Sequence, residues 1–424
     1  MIQTIYTFIL YPLVYFLFWL LSFKNEKVKL GLKIRKHKSW IQPRDETTSW
    51  IWFHVASGEL EYAKPVLREL KKISTHKILV TYFSPSVMKA LEKTPEIDLF
   101  VPMPWDTPWH WNEFLNHYQP KVLAIARTDT WPNMIWQTKK KNIPSILFSA
   151  TLPSHSGRAA SFWGRLLYGR IVEDLTYVSC VAEEDKSNFL RLDPDIKISI
   201  DGDTRFDQVL FRLQENRPIK NLSSTQTPNT PIFVAGSTWP QDEKILIPAL
   251  IKPVTLGLKV LIAPHEPTQQ HLKDLEIQLT KLGFEFVYYS KLNDTLEKAD
   301  SKTLASSPVI LVDVVGVLAD LYKIAQISFV GGSFKKSVHS VMEPAACGNL
   351  IIIGPYHHNN REALSLKTKG FARVVDDSFE LESILMNETK LNSNEVEKRK
   401  SEITDFIKSQ TGVSKKIATW INSH

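Results

Sequence analysis

Residues 50–83 read WIWFHVASGELEYAKPVLRELKKISTHKILVTYF, and this stretch decides the fold. Two apolar runs, Trp50–Ala56 and Lys77–Phe83, flank an amphipathic stretch, Glu61–Ile73, in which apolar residues recur at helical spacing. Apolar runs separated by a helix of this length predict strands that pair in parallel. The stretch therefore predicts an α/β protein built from strand–helix–strand units.

The same alternation continues on both sides of a polar, proline-bearing stretch within residues 204–230. The further predicted strands are Asp98–Pro104, Lys121–Ala126, Ser145–Thr151, Val178–Ala182, Ile196–Asp201, Ile232–Ala235, Lys259–Ala263, Phe284–Tyr289, Val309–Val312, Ile327–Val330 and Leu350–Ile353. This pattern predicts two doubly wound domains, residues 45–215 and 231–391, a linker at 216–230 and a C-terminal helical segment at 392–424. Ligands of open parallel sheets bind outside the carboxyl ends of the strands. We therefore expect the site in a cleft between facing strand ends of the two domains.

Composition excludes several classes of protein. With 424 residues, 43% of them hydrophobic, the chain can bury two cores and is not disordered as a whole. The two cysteines, Cys180 and Cys347, are too few for a disulfide scaffold or a cysteine-based zinc site, and they fit a reducing compartment.

The net charge of +7 is a local property of the N-terminal region. Residues 1–23 carry no Asp, Glu, Lys or Arg, whereas residues 24–44 carry eight Lys or Arg side chains and one Glu. From Asp45 onward the chain holds 44 positive and 44 negative side chains. A neutral body gives no indication of a nucleic-acid partner.

The uncharged stretch Ile2–Phe23 predicts a membrane-anchor helix (residues 1–23) followed by a basic juxtamembrane segment (residues 24–44). Pro12 is expected to kink this helix, and whether the helix spans the bilayer or lies in it stays open. A cleaved signal peptide is disfavoured, because no positive start and no small-residue cleavage site is present. A buried core helix remains an alternative. The basic segment favours the cytoplasmic side and anionic lipid headgroups as a partner, although a solvated linker would have the same composition.

Residues just after the predicted strands of the first domain are candidates for chemistry. Ser57-Gly58-Glu59 follows the first strand, where Glu59 is placed for a general base or, alternatively, for a helix N-terminal acid. Arg127 and Asp129 follow the strand Lys121–Ala126. Helix capping by Asp129 or Thr130, with Pro132 in the first turn, is the competing explanation for this motif.

The second domain carries two stretches that could bind a phosphate, a weak one after its first strand and a denser one at Gly331–Ala345. Ser237 and Thr238 follow its first strand, and the stretch Gly331–Ala345 joins a glycine pair, two lysines, a histidine and an acid. Lysines beside a helix N-terminus suit a phosphate leaving group, and an acid suits a sugar hydroxyl. The candidates in this stretch are Gly332, Ser333, Lys336, His339, Ser340 and Glu343. A solvated basic loop is the alternative.

The sequence predicts neither a metal site nor a cofactor. His357 and His358 are adjacent rather than one helical turn apart, and there is no HExxH motif. The absence of a P-loop and of a GxGxxG motif counts against a kinase or a Rossmann dehydrogenase.

Several segments together resemble the transferases of 3-deoxy-D-manno-octulosonic acid (Kdo). His54–Leu67 is similar to their H-x-x-S-x-G-E segment, and Arg127–Asn133 to their acidic-Thr-acidic-x-Trp-Pro-Asn motif. The further matches are Gly202–Asp207, Ala235–Lys244, Ala263–Pro267 with His265, Asp313–Tyr322, Gly331–Ala345, and Gly354-Pro355 with Asn359 and Glu362. The segments occur in the family's order from about residue 1 to residue 375.

This resemblance implies a GT-B glycosyltransferase with two Rossmann-like domains and an N-terminal anchor at the cytoplasmic face of the inner membrane. It implies an inverting, metal-independent transfer of Kdo from CMP-Kdo to a lipid A precursor (lipid IVA) in lipopolysaccharide core biosynthesis. Glu59 would be the catalytic base, with Ser57, Gly58, Arg127 and Asp129 around the acceptor or sugar. The implied donor-binding residues are Ser237, Thr238, His265, Gly332, Ser333, Lys336, His339, Ser340, Glu343 and Asn359.

The chain departs from the family pattern at three places. The loop before Glu59 is one residue shorter, Arg127 replaces an acid, and Ser340 stands where Asn often follows the histidine. A different nucleotide-sugar donor, or a non-catalytic homologue that binds a sugar nucleotide or a lipid, are the alternative functions.

Overall fold

The computed structural model describes residues 2–45, 47–214, 231–295 and 307–424. The predicted linker at 216–230 lies outside the described residues and stays a prediction. The chain forms two compact units: unit 1 comprises Met1–Gln208 and Gln410–His424, and unit 2 comprises Val209–Ser409.

Unit 1 contains a seven-stranded parallel sheet in the order β3-β2-β1-β4-β5-β6-β7. Its strands are β1 Trp50–Val55, β2 Lys77–Tyr82, β3 Leu99–Pro102, β4 Val122–Ala126, β5 Ser145–Ala150, β6 Tyr177–Cys180 and β7 Ile198–Ile200. Strand β1 pairs with β2 on one side, beginning at Trp50 opposite Lys77, and with β4 on the other, beginning at Ile51 opposite Val122. The carboxyl ends of these three neighbouring strands therefore lie at the same edge of the sheet.

Helices cover both faces of this sheet. Along β1, Trp50 and Trp52 enter one apolar core, whereas Ile51, Phe53 and Val55 enter the other. Both sides of a strand are buried in this way only when layers pack above and below it. The helices of unit 1 are Ile2–Ser22, Glu26–Lys33, Leu60–Ile73, Met88–Glu92, Pro108–Tyr118, Pro132–Lys140, Gly157–Ala160, Phe162–Val172, Glu183–Leu192, Val413–Asn422 and the first turn of Arg205–Gln214.

Unit 2 repeats this architecture with the strand order β10-β11-β9-β8-β12-β13-β14, all parallel. Its strands are β8 Ile232–Thr238, β9 Lys259–Pro264, β10 Phe286–Tyr288, β11 Val309–Leu311, β12 Ile327–Val330, β13 Leu350–Ile353 and β14 Ala372–Val374. Its helices include Pro240–Ala249, Ile251–Thr255, Gln269–Lys281, Tyr289–Thr295, Leu318–Leu321, Met342–Ala346, Arg361–Thr368, Ser378–Glu388 and Ser393–Ser409. Two apolar cores again flank the sheet.

These two sheets confirm the predicted α/β class, and thirteen of their strands coincide with predicted ones to within one or two residues at most ends. Strand β14 was not predicted. It contributes only three residues at the sheet edge, and Arg373 at its centre is exposed.

The predicted C-terminal helical segment is divided between the units. Helix Ser393–Ser409 belongs to unit 2, whereas Val413–Asn422 packs on helix Leu60–Ile73 in unit 1. The carboxylate of Asp207 accepts hydrogen bonds from the backbone N–H groups of Gly412 (2.7 Å) and Ser414 (2.9 Å). It thereby occupies donors that the start of the last helix leaves unpaired.

The N-terminal helix, Ile2–Ser22, is long and apolar enough to cross a membrane by length and composition. A π-helical stretch, Tyr6–Leu10, precedes Pro12 within it, as expected where a proline cannot continue the regular ladder. One side of the helix packs against the rest of unit 1. The buried side chains of Tyr6, Thr7 and Tyr11 lie on that side.

Candidate functional site

His54, at the end of β1, is fully buried and bonded through both ring nitrogens. Its Nδ1 lies 2.8 Å from the Thr81 hydroxyl and its Nε2 lies 2.9 Å from Oδ2 of Asp129. The Thr81 hydroxyl also accepts a hydrogen bond from the indole of Trp52 (2.8 Å). These bonds fix the imidazole plane and hold the carboxylate of Asp129 beside the strand ends.

Asp129 is held as an anion by this arrangement. Burial raises the pKa of its carboxyl, but the hydrogen bond and the electrostatic interaction with His54 outweigh burial, so that the pKa lies below its usual value. Arg158 adds to this effect and donates a hydrogen bond to the Thr128 carbonyl (2.8 Å). A carboxylate with a lowered pKa is a weak proton acceptor, so the geometry favours a positioning role for Asp129 over that of general base.

The predicted capping of the next helix by Asp129 or Thr130 is wrong. Helix Pro132–Lys140 has Trp131 at its N-cap without a side-chain cap, although Pro132 is in the first turn as predicted. The fully buried Asp106 does the capping, because its carboxylate accepts from the N–H groups of Asn133 (3.2 Å) and Met134 (3.0 Å). A residue so distant in sequence gives no local capping signal.

Asp106 also holds the N-terminal helix. Its carboxylate accepts from the Tyr6 hydroxyl (2.8 Å) and from the indole of Trp111 (2.7 Å), and its N–H donates to the Tyr11 hydroxyl (2.8 Å). The Thr7 hydroxyl donates to Oδ1 of Asn133 (3.1 Å). The asparagine of the Trp-Pro-Asn motif therefore attaches the apolar helix to unit 1.

Glu59 occupies the N-cap position of helix Leu60–Ile73 and is half-buried. Its Oε2 accepts a hydrogen bond from the Ser57 N–H (2.9 Å), while the Ser57 hydroxyl lies 2.9 Å from that of Ser86. Gly58 between them is exposed. The carboxylate thus lies at the positive end of a helix, which fits the predicted helix N-terminal acid. It also lies at the carboxyl edge of the sheet, which fits the predicted general base.

Arg127 follows β4 with a left-handed backbone, at a φ of 66°. Its guanidinium carbon lies 5.1 Å from the ring centroid of Tyr62, a residue of the helix that Glu59 begins. The guanidinium carbon of Arg205 lies 4.7 Å from the same centroid. Sequence reasoning missed Tyr62, because an aromatic residue inside an amphipathic helix looks like an ordinary core residue.

In unit 2 the strand ends bring together a stack of three rings. His265 packs on Trp239, with centroids 4.8 Å apart, and on His339, with centroids 4.4 Å apart. The Trp239 indole donates to Nε2 of His339 (3.0 Å), so that this nitrogen is an acceptor. Burial, His265 and Lys335 lower the pKa of His339, which is therefore neutral at pH 7.

The lysine and asparagine that contact these rings are the sequence neighbours of the predicted Lys336 and Asn359, whose donor-binding roles stay predictions. The ammonium of Lys335 lies 3.0 Å from the ring centroid of Trp239, and Lys335 and Lys336 are both exposed. The side chain of Asn360 donates to the His339 carbonyl (3.4 Å), whereas Asn359 is exposed. Neighbouring identical residues cannot be distinguished without knowing the course of the loop.

Three of the predicted donor-binding residues shape the loop itself. Gly332 has a φ of 81°, and a Cβ there would lie 2.4 Å from the Ser337 carbonyl oxygen, so only glycine fits. The buried hydroxyls of Thr238 and Ser333 donate to Glu243 (2.7 Å) and to the Val330 carbonyl (3.0 Å). These two hydroxyls are thus already used inside the protein.

The buried carboxylate of Asp242 fixes the same loop, a role that the sequence did not reveal. It accepts hydrogen bonds from the N–H groups of Trp239 (2.9 Å), Gly332 (2.8 Å) and Phe334 (2.9 Å). Ser237, two residues before Trp239, has a left-handed φ of 55°.

Ser340 and Glu343 contact each other by a hydrogen bond from the hydroxyl to the carboxylate. Oε1 of Glu343 lies 3.5 Å from the guanidinium of Arg212, also in unit 2. Ser340 is exposed and Glu343 is partly so, which leaves both accessible at this edge.

Within the described ranges, no group of three or more His, Cys, Asp or Glu side chains is placed to hold a metal ion. His357 bonds to the Gly354 carbonyl (3.0 Å) and stacks on His358.

Solved structures share the two-unit architecture. A UDP-GlcNAc 2-epimerase from Neisseria meningitidis superposes with a TM-score of 0.59 at 15% identity, covering 88% of this chain and 99% of that chain. The glycotransferase of kitacinnamycin superposes with a TM-score of 0.55 at 13% identity, covering 89% and 99%. At these identities the likeness shows the fold alone, which is the predicted GT-B type.

Sequence comparison defines the family. A family model described as 3-deoxy-D-manno-octulosonic-acid transferase (kdotransferase) matches residues 29–208. The 3-deoxy-D-manno-octulosonic acid transferase of Haemophilus influenzae is 30% identical over 370 residues, covering 82% of this chain and 81% of that relative. The chain belongs to the Kdo transferase family, whose members are glycosyltransferases, and the predicted family is confirmed.

Proposed function

We propose that the protein transfers Kdo from CMP-Kdo to a primary hydroxyl of a lipid A precursor, with inversion at the anomeric carbon and without a metal. The observation that carries this proposal is the position of Glu59 in a chain of the Kdo transferase family. Its carboxylate lies at the carboxyl edge of the unit 1 sheet, and among the described residues only one of its oxygens is bonded, to the Ser57 N–H. The other oxygen is the proposed proton acceptor.

The acceptor side of the reaction is assigned to unit 1. Glu59 takes the hydroxyl proton as the oxygen attacks the anomeric carbon of Kdo, and a base in this role contributes about 10²–10⁴ to the rate. Asp129, which His54 holds at 2.9 Å, orients the hydroxyls of the sugar as a hydrogen-bond acceptor. The bond from the anomeric carbon to the CMP phosphate oxygen breaks with its electron pair, and CMP leaves.

The donor side is assigned to unit 2. The leaving phosphate needs positive charge and hydrogen-bond donors as it gains charge. Lys335, on the face of Trp239, provides a cation, and the neutral His339, whose Nε2 accepts from the Trp239 indole, offers its Nδ1–H as a hydrogen-bond donor. Glu343 and Ser340 are assigned to hydroxyls of the donor.

A membrane surface as the working place is supported by the N-terminal helix and by the groove beside it. The docked side of the helix continues from Tyr11 to Tyr15, which packs edge-on against Trp105 (4.9 Å), and to Phe18, which packs on Phe83 (5.8 Å). The opposite side exposes the apolar residues Phe8, Ile9, Leu13, Phe16, Leu17, Leu20 and Leu21. A helix that is docked on a folded unit along its length lies in the lipid interface, which we propose here in place of a free spanning anchor.

The basic juxtamembrane segment lines one wall of this groove, which has a volume of about 1260 Å³. Lys29, Lys33 and Lys36 line it together with Tyr15 and Trp19 of the apolar helix. Each basic residue near a membrane surface attracts anionic lipid by about 1 kcal/mol. We assign this face to the cytoplasmic leaflet of the inner membrane, where a lipid acceptor lies within reach.

The test is release of CMP by purified full-length protein from CMP-Kdo and a tetraacyl glucosamine disaccharide, in the presence of EDTA. Release that depends on the acceptor supports the proposal, and loss of release with EDTA would refute metal independence. Turnover only with a UDP-sugar would assign a different donor. Binding of CMP-Kdo by folded protein without turnover would make the chain a non-catalytic homologue.

A further inference from the structure

The two arginines that lie on the ring of Tyr62 differ in how their charge is balanced. Arg205 is paired with Asp203, whose Oδ2 lies 3.2 Å from the guanidinium and whose Oδ1 accepts from the Arg205 N–H (2.8 Å). Arg127 has no carboxylate within ion-pair distance and no hydrogen bond from its guanidinium among the residues that the structure describes. Within the described ranges, one of the two positive charges is therefore not neutralised by a carboxylate.

The guanidinium of Arg127 is nevertheless held in place. Its left-handed backbone is anchored by the hydrogen bond from its N–H to the Phe148 carbonyl (2.8 Å). A left-handed arginine is uncommon and strained, so the surrounding structure must hold it in this conformation. The ring of Tyr62 supports the planar side chain by a cation–π contact.

The support under the arginines is built from buried polar bonds. The Thr204 hydroxyl, fully buried, donates to the Tyr62 carbonyl (2.8 Å) and its N–H donates to the Ser149 hydroxyl (3.1 Å). Tyr62 is itself almost completely buried. This network connects the end of β5, the helix of Tyr62 and the loop of Arg205, so the ring has a fixed position.

We propose that Arg127, stacked on Tyr62 beside Arg205, binds an oxyanion of the substrate on which Glu59 acts, and so determines specificity. The inference rests on the proposed function. A planar guanidinium with unused donors pairs with a carboxylate or a phosphate through two parallel hydrogen bonds. Tyr62 lies one helical turn after Glu59, and Arg127 lies two residues before Asp129, so the oxyanion belongs to a group near the reacting hydroxyl.

Two sources supply this chemistry: the carboxylate of the donor sugar acid, and a phosphate on the glucosamine disaccharide.

The experiment measures kcat and KM for CMP-Kdo and for acceptors with and without the phosphate. Arg127→Ala is expected to raise the KM of the substrate that carries the oxyanion by about ten- to a hundredfold with a smaller change in kcat, because a charge-assisted pair is lost. A rise for CMP-Kdo assigns the sugar carboxylate. A rise for the phosphorylated acceptor alone assigns the phosphate. Arg127→Glu is expected to raise the same KM further than Arg127→Ala does, because it places a negative charge beside the oxyanion.

Further variants separate recognition from folding. Tyr62→Phe keeps the ring and is expected to behave as the wild type, whereas Tyr62→Leu is expected to resemble Arg127→Ala. Arg170→Ala, which removes an exposed arginine of the same unit that pairs with Glu173, is the control and leaves both KM values unchanged.

Unchanged KM values in Arg127→Ala, or wild-type kinetics in Arg127→Glu, would overturn the inference while the wild-type enzyme still turns over. Absence of turnover in the wild type would instead count against the proposed function itself. Circular dichroism and thermal unfolding of each variant show whether a kinetic change reflects loss of fold.

Discussion

Removing one hydroxyl from the N-terminal helix should detach it measurably from unit 1. The Tyr6 hydroxyl donates to the buried carboxylate of Asp106 at 2.8 Å, while its ring packs edge-on against Trp136 with centroids 5.7 Å apart. Tyr6→Phe keeps the ring contact and deletes only the hydrogen bond. A hydrogen bond to a buried charged group contributes about 1.5–3 kcal/mol, so we take about 2 kcal/mol for its loss.

That loss corresponds to an increase of about thirtyfold in the equilibrium constant for opening of the helix, since every 1.4 kcal/mol is tenfold. Opening is measured at Thr7, whose side chain is 3% exposed on the docked side. A Thr7→Cys background carries a thiol that reacts with iodoacetamide only when the helix opens. Reaction at the native cysteines is slow, because burial raises the pKa of both Cys180 and Cys347 to about 12.

The assay compares labelling rates of Thr7→Cys protein in detergent, alone and combined with Tyr6→Phe or Tyr15→Phe. Tyr15 is the matched control, because it lies on the same helix, is exposed and contacts Trp105 through its ring. We expect about thirtyfold faster labelling with Tyr6→Phe and less than about twofold with Tyr15→Phe. Equal rates in all three proteins would refute the docking of the helix through Asp106.

Three further predictions concern the buried acid, the ring stack and the glycine loop. Burial raises the pKa of Asp106 to about 6, above its ordinary 3.8, so its contribution to stability is complete below pH 3.8 and is lost as the pH rises through 6. The wild type should lose about 3 kcal/mol of unfolding free energy relative to Asp106→Asn between pH 4 and pH 7, measured by urea unfolding; parallel pH profiles would contradict this. Because the neutral His339 offers its Nδ1–H to the phosphate, calorimetry should show a CMP affinity lower by about threefold or more in His339→Phe than in the wild type, through the loss of one hydrogen bond. An unchanged affinity would contradict this role. Gly332→Ala should lower the free energy of unfolding, measured by urea unfolding, by about 2–4 kcal/mol more than Gly257→Ala does. Gly257 also has a positive φ but lies in open surroundings, so equal losses in the two variants would contradict the close contact at Gly332.

Local pattern predicted most of the fold, because each strand is an apolar run bounded by polar turns. Trp50–Val55 and Lys77–Tyr82 are as predicted to within one residue. The sequence could not show that Val413–Asn422 returns to unit 1, since its apolar stripe fits any exposed core and only the packing on helix Leu60–Ile73 selects the partner. The edge strand Ala372–Val374 was too short to show a period.

The sequence pointed to candidate site residues where a side chain capable of acid–base chemistry follows the end of a predicted strand, as for Glu59 and Asp129. The partners that fix them, such as Thr81 for His54, are far away in sequence and carry no local signal. Tyr62 and Asp242 were missed for the same reason, because a ring under two guanidinium groups and an acid under a glycine turn are recognisable only from the folded loops.

The central claim, that Glu59 is the base of a Kdo transfer, is tested most directly by Glu59→Gln. The amide oxygen can still accept the Ser57 N–H, so the loop is retained while the proton acceptor is lost. Glu61→Gln, two residues further along and beside Lys64, is the control. We expect the rate of CMP release from CMP-Kdo in the presence of acceptor to fall by about 10²–10⁴ in Glu59→Gln, with CMP affinity unchanged and Glu61→Gln close to the wild type. A Glu59→Gln rate within a few-fold of the wild type would show that Glu59 is not the base.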